Sequence, residues 1–273
     1  MSTITSYSAL TSLNNNHRLI IDDGSTTSSV APDKLLGLIM PGIGHRNIFR
    51  GKSLGTSFTS DQKAAIADGS FNDLFVGDYW TISSKVYRIA DINYFKNCGD
   101  TSFSKNHLVI VPDKNMYNHV MNDSNVTTGG YKGSKMYTEG LDSARSTIKS
   151  AFGASYVATF RDYITNAVTS GYPSGAEWSD ADVALMNEIA VYGTSVHSPR
   201  GDGSFVPTNH TMWNSQLALF RLNPTMIKTR ESYWLRDVVS STCFALVYDN
   251  GVAAYTIASY SRGVRPAFVL VGD

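Results

Sequence analysis

One short stretch limits the folds open to this chain more than any other. It runs Ala245-Leu246-Val247-Tyr248, then Asp249-Asn250-Gly251, then Val252-Ala253-Ala254-Tyr255-Thr256-Ile257. Asn-Gly between two runs of apolar, β-branched and aromatic residues signals a β-hairpin, because both turn residues tolerate positive φ. A last apolar run follows over 264–270, from Val264 through Arg265, Pro266 and Phe268 to Leu270. So apolar a segment needs a sheet to bury it. The chain is therefore expected to complete its own core with its final strand.

Other segments extend this pattern. Tyr79-Trp80-Thr81-Ile82 alternates as a strand, Ser83-Ser84 turns, and Val86-Tyr87-Arg88-Ile89-Ala90 returns beside it. Residues 107–112 form a near-continuous apolar run, read as a central strand stopped by Pro112. A short helix is expected over 61–68, with Ser60 as N-cap and Gly69 as its C-terminal glycine. A second spans 134–152, interrupted at Gly140 and closed by Gly153. The clearest helical pattern covers 180–192. There Ser179 and Asp182 resemble a capping box, Val183, Met186, Ile189 and Ala190 form an apolar face, and Gly193 ends it. Residues 155–168 fit a helix or a strand equally well. Long polar loops occupy 121–131 and 194–215. The class is α+β, with one head domain over 51–273 and no internal repeat.

Residues 1–50 do not read as a compact unit. Arg18-Leu19-Ile20-Ile21-Asp22-Asp23-Gly24 is a short strand ending in a turn, followed by a Ser/Thr run and the Leu35-Leu36 segment. Such an arm cannot bury its own apolar residues. It is expected to pack on a partner subunit or assembly, or to lie across its own head. Its order of strand, Ile-Asp-Asp-Gly, Ser/Thr run and Leu-Leu resembles the attachment segments that begin many bacteriophage fibre and appendage proteins. That resemblance implies an anchoring and oligomerisation role for Leu19, Ile20, Ile21, Asp22, Asp23, Gly24, Leu35 and Leu36.

Composition removes several functions. Lysine plus arginine and aspartate plus glutamate are equal at 23 each, so the electrostatic case for nucleic acid or an anionic membrane is absent. No apolar run approaches the roughly 18 residues of a membrane span. The first residues carry neither a basic nor an apolar signal region, so a soluble product made in a cytoplasm is expected. The two cysteines, Cys98 and Cys243, do not suggest a disulfide scaffold; two free buried thiols are the favoured state, with a single bridge as the other.

Catalytic constellations are sparse. No two histidines stand at a helical metal spacing, Cys-x-x-Cys and Gly-x-Ser-x-Gly are absent, and the Gly-rich pieces lack the phosphate-loop lysine. Neither metal nor cofactor is expected. Glu177 and Glu188 with Asp180 and Asp182 offer a carboxylate pair for glycoside hydrolysis, against the plainer reading of caps and solvated helix charges. His197 and His210 share a loop with Asp202, which reads as a solvated loop ahead of a metal site. Tyr172, Trp178, Trp213 and Tyr233 sit beside loops rich in Asn, Asp and Gly, and Tyr131 sits in one, where aromatic faces stack on sugars. Partly buried packing is the competing reading.

Across the head, the pieces Gly77-Asp78-Tyr79-Trp80, His107-Leu108-Val109-Ile110-Val111-Pro112, Thr128-Gly129-Gly130-Tyr131, Ala151-Phe152-Gly153, Tyr233-Trp234-Leu235-Arg236 and Gly263-Val264-Arg265-Pro266 occur in order. They resemble a family of uncharacterised domains found in phages and prophages of Gram-positive and gut bacteria, over nearly all of 70–271. The last two pieces also resemble the end of C-type-lectin-like domains. The calcium-lectin motifs Glu-Pro-Asn, Gln-Pro-Asp and Trp-Asn-Asp are missing, so calcium-dependent sugar binding is not implied. The resemblance implies a virion structural protein of a tail, baseplate, head fibre or capsid surface. Its partners would be other virion proteins and further copies of itself (a trimer among the options), and its loops would meet a host cell-surface glycan. The alternative is a cell-wall glycosidase carried by the particle. Physically, Trp234 suits a core anchor, Arg265 suits pairing with a buried carboxylate or carbonyls, and Pro266 suits a strand start. Arg236 belongs to the same structural motif.

Overall fold

The structure is a computed structural model that describes residues 18–22, 24–30, 35, 40–165, 168–169, 172–173, 175–198 and 215–273. It is mixed α+β, with mostly antiparallel sheets and few helices. In chain order the strands are β1 (Leu19–Asp22), β2 (Thr27–Val30), β3 (Tyr79–Ile82), β4 (Lys85–Ile92), β5 (His107–Pro112), β6 (Tyr117–His119), β7 (Val157–Ala158), β8 (Phe160–Thr165), β9 (Val168–Thr169), β10 (Tyr172–Pro173), β11 (Ala176–Ala181), β12 (Val183–Leu185), β13 (Tyr233–Val238), β14 (Cys243–Val247), β15 (Ala253–Ile257), β16 (Arg262–Val264) and β17 (Pro266–Val271). The α-helices are α1 (Ser60–Ala67), α2 (Asp142–Phe152), α3 (Glu188–Tyr192) and α4 (Ala218–Leu222). None of the described helices is long and apolar enough to cross a membrane.

The closing apolar run lies where its composition demands. β17 sits inside a six-stranded sheet ordered β12-β17-β5-β4-β3, with β7 also paired to β17. All six of its residues are buried. Phe268 and Leu270 join Leu108 and Ile110 of β5 in one core, shared with Ile66 of α1 and Ile148 and Phe152 of α2. Ala267, Val269 and Val271 join Val109 and Val111 in a second core, with Tyr233, Leu235, Ala245 and Val247 from the other sheet and Phe220 of α4. Both faces of the sheet are covered. That is why β5 and β17 read as continuous apolar runs and lack the alternation of a half-solvated antiparallel sheet. The second sheet, ordered β15-β14-β13-β16-β6, turns Trp234, Phe244 and Leu246 into a third core with Tyr131, Met136 and Leu141.

The expected hairpin is present as β14–β15, in the register Val247↔Ala253, but its turn differs. Only Gly251 of the turn residues takes positive φ, at +92°. Tyr248 N donates to Val252 O at 2.9 Å and Gly251 N to Tyr248 O at 2.9 Å, while Asn250 Oδ1 accepts from Val252 N at 3.1 Å. This is a three-residue connection with a glycine bulge, and Asn250 contributes its side chain in place of a left-handed backbone. The two-residue turn with two positive φ values occurs instead at Ser83 and Ser84 (48° and 62°), between β3 and β4.

The helix expected over 180–192 is corrected. β11 runs through Ala181 and β12 pairs with β17, Val183 opposite Phe268 and Leu185 opposite Pro266. The helix starts only at Glu188, capped by Asn187, whose Oδ1 accepts from Ala190 N at 2.8 Å. Val183, Ala184 and Leu185 each enter a different core, so pairing with a buried strand outweighs the 3.6-residue period. Asp182, read as part of a cap, accepts from Arg145 at 2.8 Å and from Lys149 at 2.7 Å. α1 starts one residue from the expected cap: Thr59 holds the capping box with Gln62. Residues 155–168, left open between helix and strand, contain the strands β7 and β8.

The boundary expected near residue 50 cuts through a packed segment. Arg50 N donates to Val76 O at 2.9 Å, Tyr79 N to Lys52 O at 3.0 Å and Leu54 N to Tyr79 O at 2.7 Å, so this stretch covers the outer edge of β3. Arg50 also binds Asp78 at 2.6 Å, and Arg46 pairs with the buried Asp91. The segment belongs to the head because its charges are neutralised there. Farther back, β1 and β2 form a two-stranded antiparallel sheet, Gly24 turns at φ +87° and Ile20 is 68% exposed. Leu35 is half-buried; Asp23 and Leu36 lie outside the described residues.

Arg265 sits at the joint between β16 and β17. Its guanidinium is buried and donates to Pro112 O at 2.8 Å, Met226 O at 3.0 Å, Ile227 O at 3.1 Å and Tyr233 Oη at 3.2 Å. Of the two expected partner types, it takes carbonyls. Arg265→Met should lower unfolding free energy by about 2 kcal/mol or more, because Pro112 O and Met226 O lose their guanidinium donor while Ile227 O keeps only the Tyr233 hydroxyl. Urea denaturation measures this; a loss below about 1 kcal/mol would contradict the role.

Candidate functional site

Two polar surfaces on the head are built by loops. The first starts at residues 121–131. Met121 N and Asn122 N both donate to Ala258 O at 2.9 and 3.0 Å, and Thr127 is tied to the β13–β14 connection through Ser240 O and Ser241 O at 2.8 and 3.1 Å. Asn122 Oδ1 accepts from Lys135 N at 2.9 Å, and its Nδ2 donates to Val126 O at 2.7 Å. Asn125 Oδ1 accepts from Ser259 Oγ at 2.7 Å. The loop is therefore fixed at both ends and in its middle.

Between this loop and residues 133–139 lies an open depression of about 460 Å³. Lys135 stands in it with Asp123 at 2.7 Å and Glu139 at 3.4 Å. The Asp123 carboxylate, aided by Glu139, raises the ammonium above its ordinary value. Ser124, Thr128 and Thr138 add hydroxyls, and Val126 is exposed. The surface can donate and accept hydrogen bonds over a short span, which suits a polyhydroxylated ligand. Among the described residues, no group of three or more His, Cys, Asp or Glu is placed to hold a metal ion.

The second surface is the start of the long loop over 194–215. Glu188, the first residue of α3, is buried, and its carboxylate accepts from Val196 N at 2.9 Å, His197 N at 3.0 Å, Ser198 N at 3.0 Å and Ser198 Oγ at 2.6 Å. The side chain is a clamp on the loop. Asp237 of β13 accepts from Glu188 N at 2.6 Å. Burial, then repulsion from the Glu188 carboxylate, pushes the Asp237 carboxyl up to about 7, against the pull of Arg236. Beyond the clamp, His197 Nε2 lies 3.2 Å from Ala253 O and its ring stands edge-on to the exposed Tyr255 at 5.1 Å.

The sequence-predicted residues divide clearly. Tyr131 is corrected: it is 1% exposed and its hydroxyl accepts from Leu185 N at 3.1 Å. Gly129 and Gly130, at φ +76° and +63°, turn the chain inward and carry the ring into the third core. Trp178 is half-buried on β11 with its ring 5.0 Å from Tyr163, which is the packing reading. Tyr172 lies in β10, paired with Thr169. Asp202, His210 and Trp213 lie outside the described residues. Trp234 is fully buried and donates from its indole to His119 O at 2.9 Å; Arg236 pairs with buried Asp162; Pro266 opens β17. Cys98 is buried and Cys243 half-buried, both as free thiols.

The carboxylates considered for hydrolysis are all engaged. Glu188 clamps the loop, Asp182 holds α2, Glu177 pairs with Lys132 at 2.9 Å and Asp180 with Arg161 at 2.8 Å. The sequence missed Glu188 as a clamp because a glutamate inside the helix expected over 180–192 looks like an ordinary solvated charge. The placement that buries it comes from β13 and the loop together. Lys135, Asp123 and Glu139 were also missed as a group, although 135 and 139 share a helical spacing.

The class that the fold and surfaces define is a mixed α+β head with loop-built polar surfaces. Against known protein families, curated proteins and solved structures, the chain finds no match.

Glu188→Gln should free the amides of 196–198, because an amide NH₂ then faces backbone donors. Hydrogen exchange at 196–198 should accelerate, with a stability loss of about 2 kcal/mol; unchanged protection there would refute the clamp. Asp237 makes a pH prediction. Its folded pKa is raised, so the folded state binds the extra proton, and stability falls as pH rises from about 4 through about 7. Asp237→Asn should flatten that slope in melting curves recorded across the same range.

Proposed function

We propose that this chain is a non-enzymatic structural protein of a bacteriophage particle, placed on a tail, baseplate, head fibre or capsid surface. Its arm attaches it to other virion proteins and to further copies of itself, and its lectin-like head presents loops to a glycan on the host cell surface. The resemblance of residues 70–271 to phage and prophage domains motivates the reading. The single observation that carries the binding part is the open polar depression around Lys135. Its walls are tied to the rest of the head, so little ordering cost remains when a ligand binds. The two pieces that resemble the end of lectin-like domains supply buried Trp234, Arg236 and Arg265, which is the work of a scaffold beneath displayed loops. The exposed Ile20 of β1 suits an arm that buries its apolar residues on a neighbour.

The glycosidase alternative has less support. A general acid needs a carboxyl free to exchange a proton with the leaving group, whereas both oxygens of Glu188 are occupied by the loop.

The experiment is a binding screen of the full chain on cell-wall glycans and intact cells of Gram-positive and gut bacteria. Binding is expected, and Asp123→Ala with Lys135→Ala should weaken it about tenfold, as expected for loss of about 1.4 kcal/mol of polar contacts. Absence of binding across the screen would remove the receptor role. Absence of the chain from purified phage particles would remove the virion role.

A further inference from the structure

A cleft beside the β3–β4 turn has the composition of a ligand site. It measures about 310 Å³ and is lined by the turn residue Ser84, by Lys85 and Val86 at the start of β4 and by residues 112–116, which puts it within the roughly 300–1,000 Å³ of small-molecule sites. Its lining separates by chemistry. Val86 and Met116, both half-buried, supply apolar surface over the buried Pro112, and Lys85 and Lys114 supply two ammonium groups. The one carboxylate in the lining, Asp113, is held in a bidentate pair by Arg88 at 2.7 and 2.6 Å, so its charge is already answered. Among the described residues, neither Lys85 nor Lys114 forms an ion pair. In a chain whose acidic and basic residues balance, the cleft therefore keeps a local excess of positive charge.

Its walls are fixed. On one side Ser83 and Ser84 both take left-handed backbone conformations, at 48° and 62°. For residues other than glycine this costs on the order of 1 kcal/mol each, and such strain persists where the surroundings enforce it. On the other side Asp113 N donates to Val86 O at 3.0 Å and Met116 N to Val264 O at 2.9 Å. Asn115 is wedged against Gly263, where an added Cβ would meet Asn115 Nδ2 at 1.9 Å, and it donates to Glu231 and Ser232 O at 3.3 and 3.2 Å. Two ammonium groups beside a rigid, partly apolar wall suit a ligand with one carbon-rich face and one anionic group.

We propose that this cleft binds an acidic saccharide unit, with the sugar's C–H face on Val86 and Met116 and its anionic group between Lys85 and Lys114. The inference rests on the virion reading only for the ligand's source, a host-surface polymer. The anion is either a uronate carboxylate or a polyol phosphate; both present oxygens that ammonium groups bind as point charges.

The test titrates the full chain with glucuronate, with glycerol phosphate and, as neutral controls, glucose and glycerol, following amide shifts by NMR. One or both anions should shift residues 84–86 and 112–116 saturably, and the neutral compounds should not. The relative strength of the two anions identifies the source. Lys85→Ala with Lys114→Ala should weaken binding about tenfold or more, and Lys114→Glu should abolish it, with unchanged melting temperatures. Raising salt from about 50 to 500 mM should also weaken it. Asp123→Ala with Lys135→Ala should leave it intact. Equal binding of neutral and anionic compounds, anion binding unaffected by the lysine substitutions, or no binding of either anion would overturn the proposal. Anion binding at the cleft without any binding to cells would sink the receptor reading and leave this site standing.

Discussion

The buried guanidinium of Arg265 is the interaction on which the two sheets depend. It stands where the chain leaves β16 in one sheet and enters β17 in the other. Its donors reach the end of β5, the turn before β13 and the Tyr233 hydroxyl on β13 itself. A charge in such a place is costly unless every donor is used. Here it meets carbonyls with the rings of Tyr233 and Phe220 beside it, at 5.1 and 5.5 Å. Pro112 O and Met226 O would otherwise lose this donor, and Ile227 O would keep only the Tyr233 hydroxyl. One side chain thus fixes how the sheets are joined, and the apolar cores fill around that joint.

Charge plays the same part at the rim. Arg50 reaches Asp73 and Asp78, Arg46 reaches Asp91, and Asp91 also accepts from Ala218 N at 2.9 Å. A segment that looked like arm becomes the cover of the β3 edge, because buried carboxylates on the head need its arginines. The loops follow suit. Glu188 holds residues 196–198 with a single carboxylate, and Asn122, Asn125 and Thr127 hold the loop over 121–131. Polar side chains that look dispensable in the sequence set the shape of the exposed surfaces.

The sequence revealed strands better than it revealed sites. Trp80, Ile110 and Phe268 could be placed from local pattern, since burial on a strand leaves a mark in residue type. Tyr131 could not be placed, because loop aromatics that stack on ligands and loop aromatics that fill a core share the same neighbours in the chain. Two glycines turned it inward. Lys85 begins β4 and Lys114 lies in the crossing from β5 to β6, and only the pairing of β4 with β5 brings them to one cleft.

By itself the sequence determined the α+β class, the hairpin that turns through Gly251, the central strand over 107–112 and the apolar finish that had to be buried. Those follow from residue type and short-range period, which do not depend on distant partners. The tertiary structure decided that residues 180–185 are strand where their spacing suggested helix, because pairing Val183 and Leu185 with β17 buries them in two cores at once. It also decided that Glu188 is a clamp, that Arg265 meets carbonyls and that residues near 50 belong to the head. Each of those outcomes needs a partner far away in the chain, and no local pattern encodes where that partner will stand.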